Sequence, residues 1–274
     1  MNYFIDTEFV EGKQDKTFFG FKYGETKPVI DLISIALVPE DDRTPYYAIS
    51  KDFNLKEAWN RWQQRTGEGD RNNTEPRVYW LRDNVLKPIY NELASHHICD
   101  YPIPHPHFGR AVQDNRSLSF TYKNLKWLIA QYGKTNHEIA NEICEYIYGS
   151  SPDLDYMSPL QQAQTYEIND KSKNPIFYGY FCDFDWVCFN QLFGKMTDLP
   201  NGFPMYCIDL KQTLDEVVNS KDWYTGEPAR QCTFQEKLED LKKQPSYPKL
   251  TNEHNCLADA KWNKELHKFL ESLK

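Results

Sequence analysis

Residues Tyr3–Phe9 read YFIDTEF, and this short run says most about how the chain folds. An apolar segment of β-forming residues leads into two carboxylates that lie two positions apart. Because alternate side chains of a β-strand share a face, we expect Asp6 and Glu8 to point the same way and to be able to bind one divalent cation between them. Two solvated acids at a strand end give the same pattern, so other parts of the chain must decide between the two interpretations.

A second acidic motif lies near the other end of the chain, where His254–Asp259 read HNCLAD ahead of a helical pattern of apolar residues. Five residues along a helix leave two side chains roughly 140° apart, so His254 and Asp259 could not share a face if both were helical. We therefore expect His254 in a loop just before the helix and Asp259 on the helix as a fixed carboxylate. The alternative for His254 is a histidine that caps or packs against the helix N-terminus.

A third acidic segment lies between these two, where residues 174–187 read NPIFYGYFCDFDWV. An apolar strand that ends in an acid at its junction with a helix suits a carboxylate directed at a metal. Asp183 and Asp185 both fit this role, and the residues themselves leave the choice between them open.

The order of the three motifs resembles that of the DEDD exonucleases, in the subgroup whose third motif contains histidine. Within that subgroup, the chain resembles the bacterial exoribonuclease AS-like family of small RNA-trimming 3′-to-5′ exonucleases. The resemblance rests on five segments that together frame almost the whole chain: Tyr3–Val10 (YFIDTEFV), Asp31–Val38 (DLISIALV), Tyr46–Phe53 (YYAISKDF), Asp185–Gly194 with its QLFG ending, and His254–Ala260.

By this resemblance, Asp6, Glu8, Asp185 and Asp259 are four acids that bind two divalent cations, Mg²⁺ or Mn²⁺. Asp6 would bridge both ions, Glu8 and Asp259 would complete one site, and Asp185 would support the second. His254 would be the general base that deprotonates the nucleophilic water. Two such ions stabilise the attacking and leaving oxygens of a phosphodiester, and an imidazole with a pKa of roughly 6.5 suits proton transfer near neutral pH.

The register of the family motif selects Asp185 and leaves Asp183 as an additional acid nearby. The resemblance also implies two contacts to the substrate. Phe9 would stack on or wedge between the last bases, with core packing as the equal alternative, and Thr7 would offer its backbone or hydroxyl to the 3′ end. One departure is visible: much of the wider superfamily has Asn four residues before the middle Asp, where this chain has Phe181, so the backbone contact made by that Asn is not assigned here.

Composition and charge limit the classes of function. At 274 residues, of which 40% are hydrophobic, the chain can form one large core, and we expect a single domain, residues 1–274. No stretch approaches the roughly 20 apolar residues of a membrane span, and the first predicted strand leaves no room for a signal peptide, so we expect a cytoplasmic protein without a membrane partner. Seven cysteines in apolar contexts indicate reduced thiols, and a net charge of −8 argues against a long groove for duplex nucleic acid.

The order of the predicted elements indicates an α/β fold. Three early strands followed by alternating strands and helices predict a mixed five-stranded sheet with flanking helices, and the resemblance implies that this fold is ribonuclease-H-like. Helices are also predicted over residues 55–65 and 79–93, joined by a polar loop over residues 66–76. The predicted strands lie near residues 2–7, 29–38, 44–50, 175–181 and 205–209.

A helical insertion is expected at about residues 95–175, which exceed what the catalytic framework requires. Helical patterns over residues 118–132 and from a capping box at Thr135–Glu138 onward support it. A substrate lid, the surface of a homodimer and a purely structural role are all open for it. The insertion begins with a cluster whose spacing matches no known zinc motif, so a Pro-rich surface loop is favoured over a structural zinc site: His96, His97, Cys99, His105 and His107.

The motifs and the resemblance together predict a metal-dependent 3′-to-5′ exoribonuclease that removes nucleoside monophosphates from single-stranded RNA. The nearest enzymatic alternative is a 3′-to-5′ DNA exonuclease, or a phosphodiesterase of short oligonucleotides, with the same site. A different class is a non-catalytic RNA-binding module, which has no need for four acids together with His254. The choice between RNA and DNA, the base preference and the biological target are left open by the sequence.

Overall fold

The computed structural model describes residues 1–19, 21–64, 77–100, 119–149, 157–158, 160–161, 174–220 and 233–274. The chain divides into two compact units. One consists of Met1–Thr7, Ser34–Tyr47 and His137–Lys274, and the other of Glu8–Ile33 and Ala48–Asn136. Each unit is therefore assembled from segments that are far apart in sequence, and the prediction of a single domain over residues 1–274 stays a prediction.

Five strands come first along the described residues, and helices with four further short strands follow. None of these helices combines the length and apolar character needed to cross a membrane. The strands are β1 (Asn2–Gly12), β2 (Asp15–Phe18), β3 (Phe21–Glu25), β4 (Val29–Pro39), β5 (Tyr46–Ile49), β6 (Gln63–Gln64), β7 (Arg77–Val78), β8 (Ile176–Gly179) and β9 (Ile208–Asp209). The helices are α1 (Leu55–Asn60), α2 (Lys87–Asp100), α3 (Tyr122–Tyr132), α4 (Asn136–Tyr148), α5 (Asp183–Phe193), α6 (Leu210–Asn219), α7 (Phe234–Lys242) and α8 (Cys256–Glu271). A π-helical turn, Arg82–Leu86, precedes α2, and a 3₁₀ turn, Met196–Asp198, follows α5.

Five strands form the main sheet in the order β5-β4-β1-β8-β9, with β1 in the centre. β1 and β8 are parallel, with Asn2 opposite Ile176, and β8 and β9 are also parallel. β4 runs antiparallel to β1. The end of β4 lies beside the start of β1, where the backbone N–H of Glu40 donates to the carbonyl oxygen of Asn2 at 2.9 Å. The predicted α/β class, with a mixed five-stranded sheet and flanking helices, is therefore confirmed.

The central position of β1 explains why its first half is apolar on both faces. Tyr3, Phe4 and Ile5 are all buried, as expected for a strand that is covered on both sides. Phe4 belongs to a buried cluster with Val38 of β4 and Ala260 of α8. This packing positions α8 against the strand that contains the first acidic pair.

One buried polar side chain connects α8 to β1. Asn263 is 1% exposed and donates from Nδ2 to the backbone oxygen of Ile5 at 3.0 Å. Because a buried amide without a partner is costly, this bond favours one register of the helix along the strand. The C-terminal half of α8 packs on α6 and α7 through a second cluster: Leu210, Leu214, Val218, Leu238, Leu241, Leu266, Phe269 and Leu270.

The second compact unit contains α1, α2, α3 and the hairpin β2–β3. Its interior includes Leu86 of the π-helical turn, Leu93 of α2, and Leu125 and Leu128 of α3, all of which are buried. The hairpin is antiparallel, and every residue of β2 is exposed. The sequence analysis did not predict it, because a strand that buries neither face lacks the alternation that marks a half-buried strand.

The predicted elements are confirmed in position and differ in length. The predicted strands after the first correspond to β4, β5, β8 and β9, and β1 continues to Gly12. The helix predicted from residue 55 ends at Asn60, and the one predicted over residues 79–93 begins as the π-helical turn and continues to Asp100. Helices α3 and α4 confirm the two helical patterns of the insertion, whereas its remaining parts and the predicted loop over residues 66–76 lie largely or wholly outside the described residues.

His97, from the cluster considered for zinc, lies in the interior. It is 3% exposed, its Nδ1 lies 2.9 Å from the hydroxyl of Tyr132, and its ring packs edge-on against Trp127. This is the environment of a packed core histidine. His105 and His107 lie outside the described residues, as does the side chain of Cys99, so the zinc alternative is not tested by them.

Candidate metal centre

Three carboxylates converge where α8 meets β1. One oxygen from each of Asp6, Glu8 and Asp259 lies within 4.8 Å of the other two. Asp6 and Glu8 are two positions apart on β1, as the predicted shared face requires, and Asp259 lies in the first turn of α8. No second group of three His, Cys, Asp or Glu side chains at such spacing occurs in the part of the chain that the structure describes.

The spacing of these oxygens suits a hard cation. Ligands on opposite sides of Mg²⁺ or Ca²⁺ lie roughly 4–5 Å apart, and such ions prefer carboxylate oxygen. Three ionised carboxylates at this distance also repel one another unless a cation or a proton lies between them. The chemistry of the donor set therefore fits a divalent cation.

The two oxygens of Asp259 have different surroundings. Oδ2 accepts a hydrogen bond from the backbone N–H of His254 at 2.9 Å, whereas Oδ1 is buried and has no hydrogen-bond partner among the described residues. Burial raises the pKa of Asp259 to about 6, an effect that the His254 N–H opposes. A buried carboxylate oxygen without a donor is unfavourable unless a cation or a proton compensates it. This oxygen is the second observation that fits a bound cation.

A strained turn before α8 positions His254. The φ angle of His254 is +66° and that of Asn252 is +59°, in the left-handed region that few residues other than glycine adopt. Asn255 caps the helix by accepting from the backbone N–H of Ala258 at 3.1 Å, so the helix begins at Cys256 and leaves His254 outside it. The predicted location of His254 just before the helix is confirmed.

Asp185 is buried, and its hydrogen-bond partner is Thr7. It is 6% exposed, and its Oδ1 accepts two hydrogen bonds from Thr7, one from the backbone N–H at 2.8 Å and one from the hydroxyl at 2.6 Å. Burial raises the pKa of Asp185 to about 6; the two Thr7 bonds oppose this rise and the charge of Asp209 adds to it. Asp183, the competing candidate, is exposed two residues earlier. Asp183 and Asp185 therefore differ in burial. Asp185 is hydrogen-bonded to Thr7, the residue between Asp6 and Glu8.

The residues assigned to the substrate have mixed surroundings. Thr7 is buried, and both the hydroxyl and the backbone N–H that the resemblance directed to the 3′ end donate to Asp185. Phe9 is half-buried, and its stacking role stays a prediction. Phe181, at the position where the wider superfamily has Asn, is 63% exposed with φ of +55°, and its backbone N–H donates to Asp209 Oδ1 at 3.0 Å.

Sequence reasoning missed two residues that position the site. Thr7 was assigned to the substrate, although its donors orient Asp185. Asn263, which connects α8 to β1, was not singled out. A signal for Asn263 exists in the sequence, because it interrupts the apolar stripe of a helix that includes Ala260 and Leu266. The Thr7 contact has no such signal, since its two partners are 178 residues apart.

A cavity of about 780 Å³ lies between residues 245–252 and one side of α8. Asn252 and Asn255, which flank His254 in sequence, line one part of it, and Lys249 and Lys261 supply positive charge. The cavity is therefore polar and has cationic side chains close in sequence to His254.

No protein-family model matches this chain, and no characterised protein matches it significantly.

Proposed function

We propose that this protein is a metal-dependent 3′-to-5′ exoribonuclease that removes nucleoside monophosphates from the 3′ ends of single-stranded RNA. The observation behind the proposal is the convergence of Asp6, Glu8 and Asp259 within 4.8 Å, in which one buried oxygen of Asp259 has no hydrogen-bond partner among the described residues. An all-oxygen donor set of this kind favours Mg²⁺ or Mn²⁺ over softer ions.

The sheet order supports a ribonuclease-H-like fold as part of this proposal. Across the sheet, the strands follow the order third, second, first, fourth and fifth along the chain, if the small hairpins are left aside. The resemblance implies a mixed five-stranded sheet with flanking helices, and in this sheet β1 is parallel to β8 and β8 to β9. The carboxylates of the proposal lie on the central strand and on helices that follow the later strands.

Asp6, Glu8 and Asp259 would hold one cation, and Asp185 would support a second. When bound, the two cations stabilise the charge that develops on the attacking and leaving oxygens of the phosphodiester. Thr7 orients Asp185, because its two donors bind the same carboxylate oxygen. Hydrogen bonds to the charged form also favour ionisation of Asp185 against the effect of burial.

His254 would accept the proton of the nucleophilic water as a general base. The turn that contains it is tied to the site, since its backbone N–H donates to the Asp259 carboxylate. The side chain is only half-buried, so the imidazole can return its proton to solvent between turnovers. This assignment needs His254 as a proton acceptor and not as a ligand.

The polar cavity along α8 supports an anionic polymer as substrate. Lys249 and Lys261 lie in its lining, while Lys268 is paired with Glu265 at 2.8 Å. Two lysines without a carboxylate partner among the described residues suit phosphate groups in a chain whose net charge is −8.

Two alternatives differ in how far the site itself distinguishes them from the proposal. A DNA exonuclease or an oligonucleotide phosphodiesterase would use the same carboxylates, so only substrate preference distinguishes it. A non-catalytic RNA-binding module gains nothing from a buried carboxylate oxygen without a donor, since such an atom costs stability. The unpartnered oxygen of Asp259 therefore favours an enzyme.

The proposal is tested with matched RNA and DNA oligonucleotides labelled at the 5′ end and incubated with Mg²⁺ or Mn²⁺. We expect successive loss of 3′ nucleotides as monophosphates, faster on RNA, with little reaction in EDTA and strong slowing by a 3′ phosphate. The Asp6→Asn protein is the matched control for a contaminating nuclease. Cleavage of a circular RNA would instead show an endonuclease, and metal-dependent binding without any hydrolysis would favour the binding module.

A further inference from the structure

The hairpin β2–β3 has the features of a second contact surface for nucleic acid. We propose that bases of single-stranded RNA, upstream of the 3′ end that reacts, stack on the aromatic face of this hairpin. The inference rests on the proposed function and adds to it the place where the body of the substrate binds.

Aromatic side chains crowd the hairpin and face solvent. Phe18 is 67% exposed, Phe19 88%, Phe21 79% and Tyr23 69%. Scattered exposed apolar residues are ordinary, but here four exposed aromatic rings are concentrated within residues 18–23 of one hairpin, and such concentrations of apolar surface mark binding sites. The rings of Phe18 and Phe19 pack edge to face with centroids 4.5 Å apart.

The strand register divides the hairpin into two different faces. Phe18 lies opposite Phe21. The register shifts between Lys16, which pairs with Gly24, and Thr17, which pairs with Lys22, so the extra residue of this bulge lies on β3. The alternation of β2 is kept, and Lys16 lies on the same face as Phe18. Thr17 lies opposite Lys22 on the other face. The first set of residues, Lys16, Phe18 and Phe21, is called the aromatic face below.

The opposite face is ionic and internally paired. Lys22 binds Asp15 at 2.6 Å and Glu25 at 2.9 Å, and Lys13 lies 3.7 Å from Glu25. These carboxylates account for the charge of Lys22. The side chain of Lys16 has no such ion pair with any residue that the structure describes.

The aromatic face thus combines two cross-strand rings with one uncompensated positive charge. In a chain of net charge −8, a lysine that forms no ion pair with a described carboxylate is a place where a phosphate can approach. Proteins that bind single-stranded nucleic acid without sequence preference use this combination, because every base has a face that stacks and every nucleotide has a phosphate. The chemistry of the surface therefore matches unpaired RNA.

A second copy of this chain is a poorer occupant for the patch. Four aromatic side chains with these exposures present on the order of 600 Å², divided over more than one face, if each can bury about 150–250 Å². A stable protein interface needs roughly 800 Å² per partner. The area suits a few stacked bases better than a dimer.

The hairpin lies within reach of the reacting end along the chain. Phe18 follows Glu8 by ten residues in sequence, so the two are separated by at most roughly 35 Å. At a stacked rise of about 3.4 Å per nucleotide, a strand of about 12 nucleotides is long enough for the largest separation that this linkage allows, whereas a dinucleotide extends only about 3.4 Å from the reacting end. Varying the length of the substrate therefore distinguishes binding at the carboxylates alone from binding at both the carboxylates and the hairpin.

The first test measures binding without turnover. A 5′-fluorescein single-stranded RNA of about 12 nucleotides that ends in a 3′ phosphate is titrated with the full-length protein, and its anisotropy is followed. Phe18→Ala/Phe21→Ala should raise the Kd at least about tenfold, whereas Phe18→Tyr/Phe21→Tyr should keep it within about threefold, because only the former removes the stacking faces. Phe18→Leu/Phe21→Leu should bind as weakly as the alanine pair, and recovery of affinity by leucine would overturn stacking.

The two lysines of the hairpin provide a matched pair of variants. Lys16→Gln should lower the slope of log K against log salt by about 0.7, as expected when one phosphate contact to a single strand is lost. Lys22→Gln, on the paired ionic face, should leave the slope unchanged. Equal effects of both changes would show only general electrostatic attraction and would contradict the assignment of the aromatic face.

Hydrolysis of substrates of two lengths separates failure of this inference from failure of the proposed function. In Phe18→Ala/Phe21→Ala, the ratio of kcat/KM for a strand of about 12 nucleotides to that for a dinucleotide should fall at least about tenfold. An unchanged ratio in an active enzyme overturns the hairpin inference alone. Absence of hydrolysis in the wild type, with the binding results as expected, overturns the proposed activity alone. If the alanine pair instead converts a dimer to a monomer in sedimentation with RNA affinity unchanged, the patch serves self-association.

Discussion

Asp185 is buried and Asp259 half-buried, and burial raises the pKa of each to about 6, yet their oxygens have opposite surroundings. Oδ1 of Asp185 accepts two hydrogen bonds from Thr7, while Oδ1 of Asp259 has no partner among the described residues. A shifted pKa therefore does not by itself identify the role of a carboxylate. The donors around each oxygen distinguish an acid that is held in place from one with an oxygen left for a cation.

The sharpest test of this comparison is Asp259→Asn. The amide oxygen can keep the bond from the His254 N–H, which leaves the NH₂ group at the position of the unpartnered oxygen, where it repels a cation. We expect single-turnover hydrolysis to fall at least ~10³-fold, with loss of the Mg²⁺-dependent rise in Tm. Asp6→Asn should behave in the same way.

Asp183→Asn is the control for these variants, because Asp183 is exposed and lies outside the group of three acids. It should change the rate by no more than about threefold, as expected for a surface charge. A larger loss in Asp183→Asn than in Asp185→Asn would show that the middle acid had been assigned to the wrong position.

His254→Asn tests whether the residue beside Asp259 accepts a proton or supports the metal. Asparagine tolerates the left-handed φ of +66°, so the turn is preserved while the imidazole is lost. We expect a loss of about 10²-fold or more in the single-turnover rate with unchanged Mg²⁺ affinity by calorimetry. The pH dependence of the single-turnover rate should differ between the variant and the wild type. Recovery of activity by excess Mn²⁺ would instead make His254 a support of the metal site.

The stability of the metal-free protein should depend on pH, because burial raises the pKa of carboxyl groups in the folded state. Because the pKa of Asp185 is about 6 in the folded protein and 3.8 ordinarily, the folded state binds this proton more tightly. Its contribution is therefore fully present below the ordinary pKa and is lost as the pH rises through about 6.

Asp185→Asn removes this ionisation and keeps an oxygen for the Thr7 donors. In urea unfolding with EDTA at a pH near 7.5, it should be more stable than the wild type by about 1–3 kcal/mol, with little difference near pH 4. Its activity should nevertheless fall, which would separate stability from function. A variant that is less stable at both pH values would show that the burial of Asp185 is not what raises its pKa.

The smallest expected effect is that of the Thr7 hydroxyl. Thr7→Val keeps the shape of the side chain and removes one of the two donors to Asp185. We expect a loss of about 1–2 kcal/mol in the free energy of unfolding and a further rise in the pKa of Asp185, seen as an upward shift of the pH at which stability declines. Thr7→Ser should restore both. Equal stability of the valine and serine variants would show that the backbone N–H of Thr7 suffices.

The sequence by itself determined those features of the protein that depend on local geometry. The period of a β-strand puts Asp6 and Glu8 on one face, and the cap at Asn255 ends the turn before α8, so that His254 stays outside the helix and Asp259 lies in its first turn. The α/β class and the positions of β4, β5, β8 and β9 followed from apolar periodicity, because these strands are at least partly buried. The hairpin β2–β3 escaped prediction for the converse reason, since both its faces are exposed.

Only the tertiary structure decided how each oxygen is satisfied. The contact between Thr7 and Asp185 joins residues 178 positions apart, and the bond from Asn263 to Ile5 joins residues 258 apart. No local period or propensity encodes such pairs, because they depend on which surfaces the packed core brings together. The same packing buries Oδ1 of Asp259 away from any described donor, so the feature that most favours a metal arises from the assembled fold.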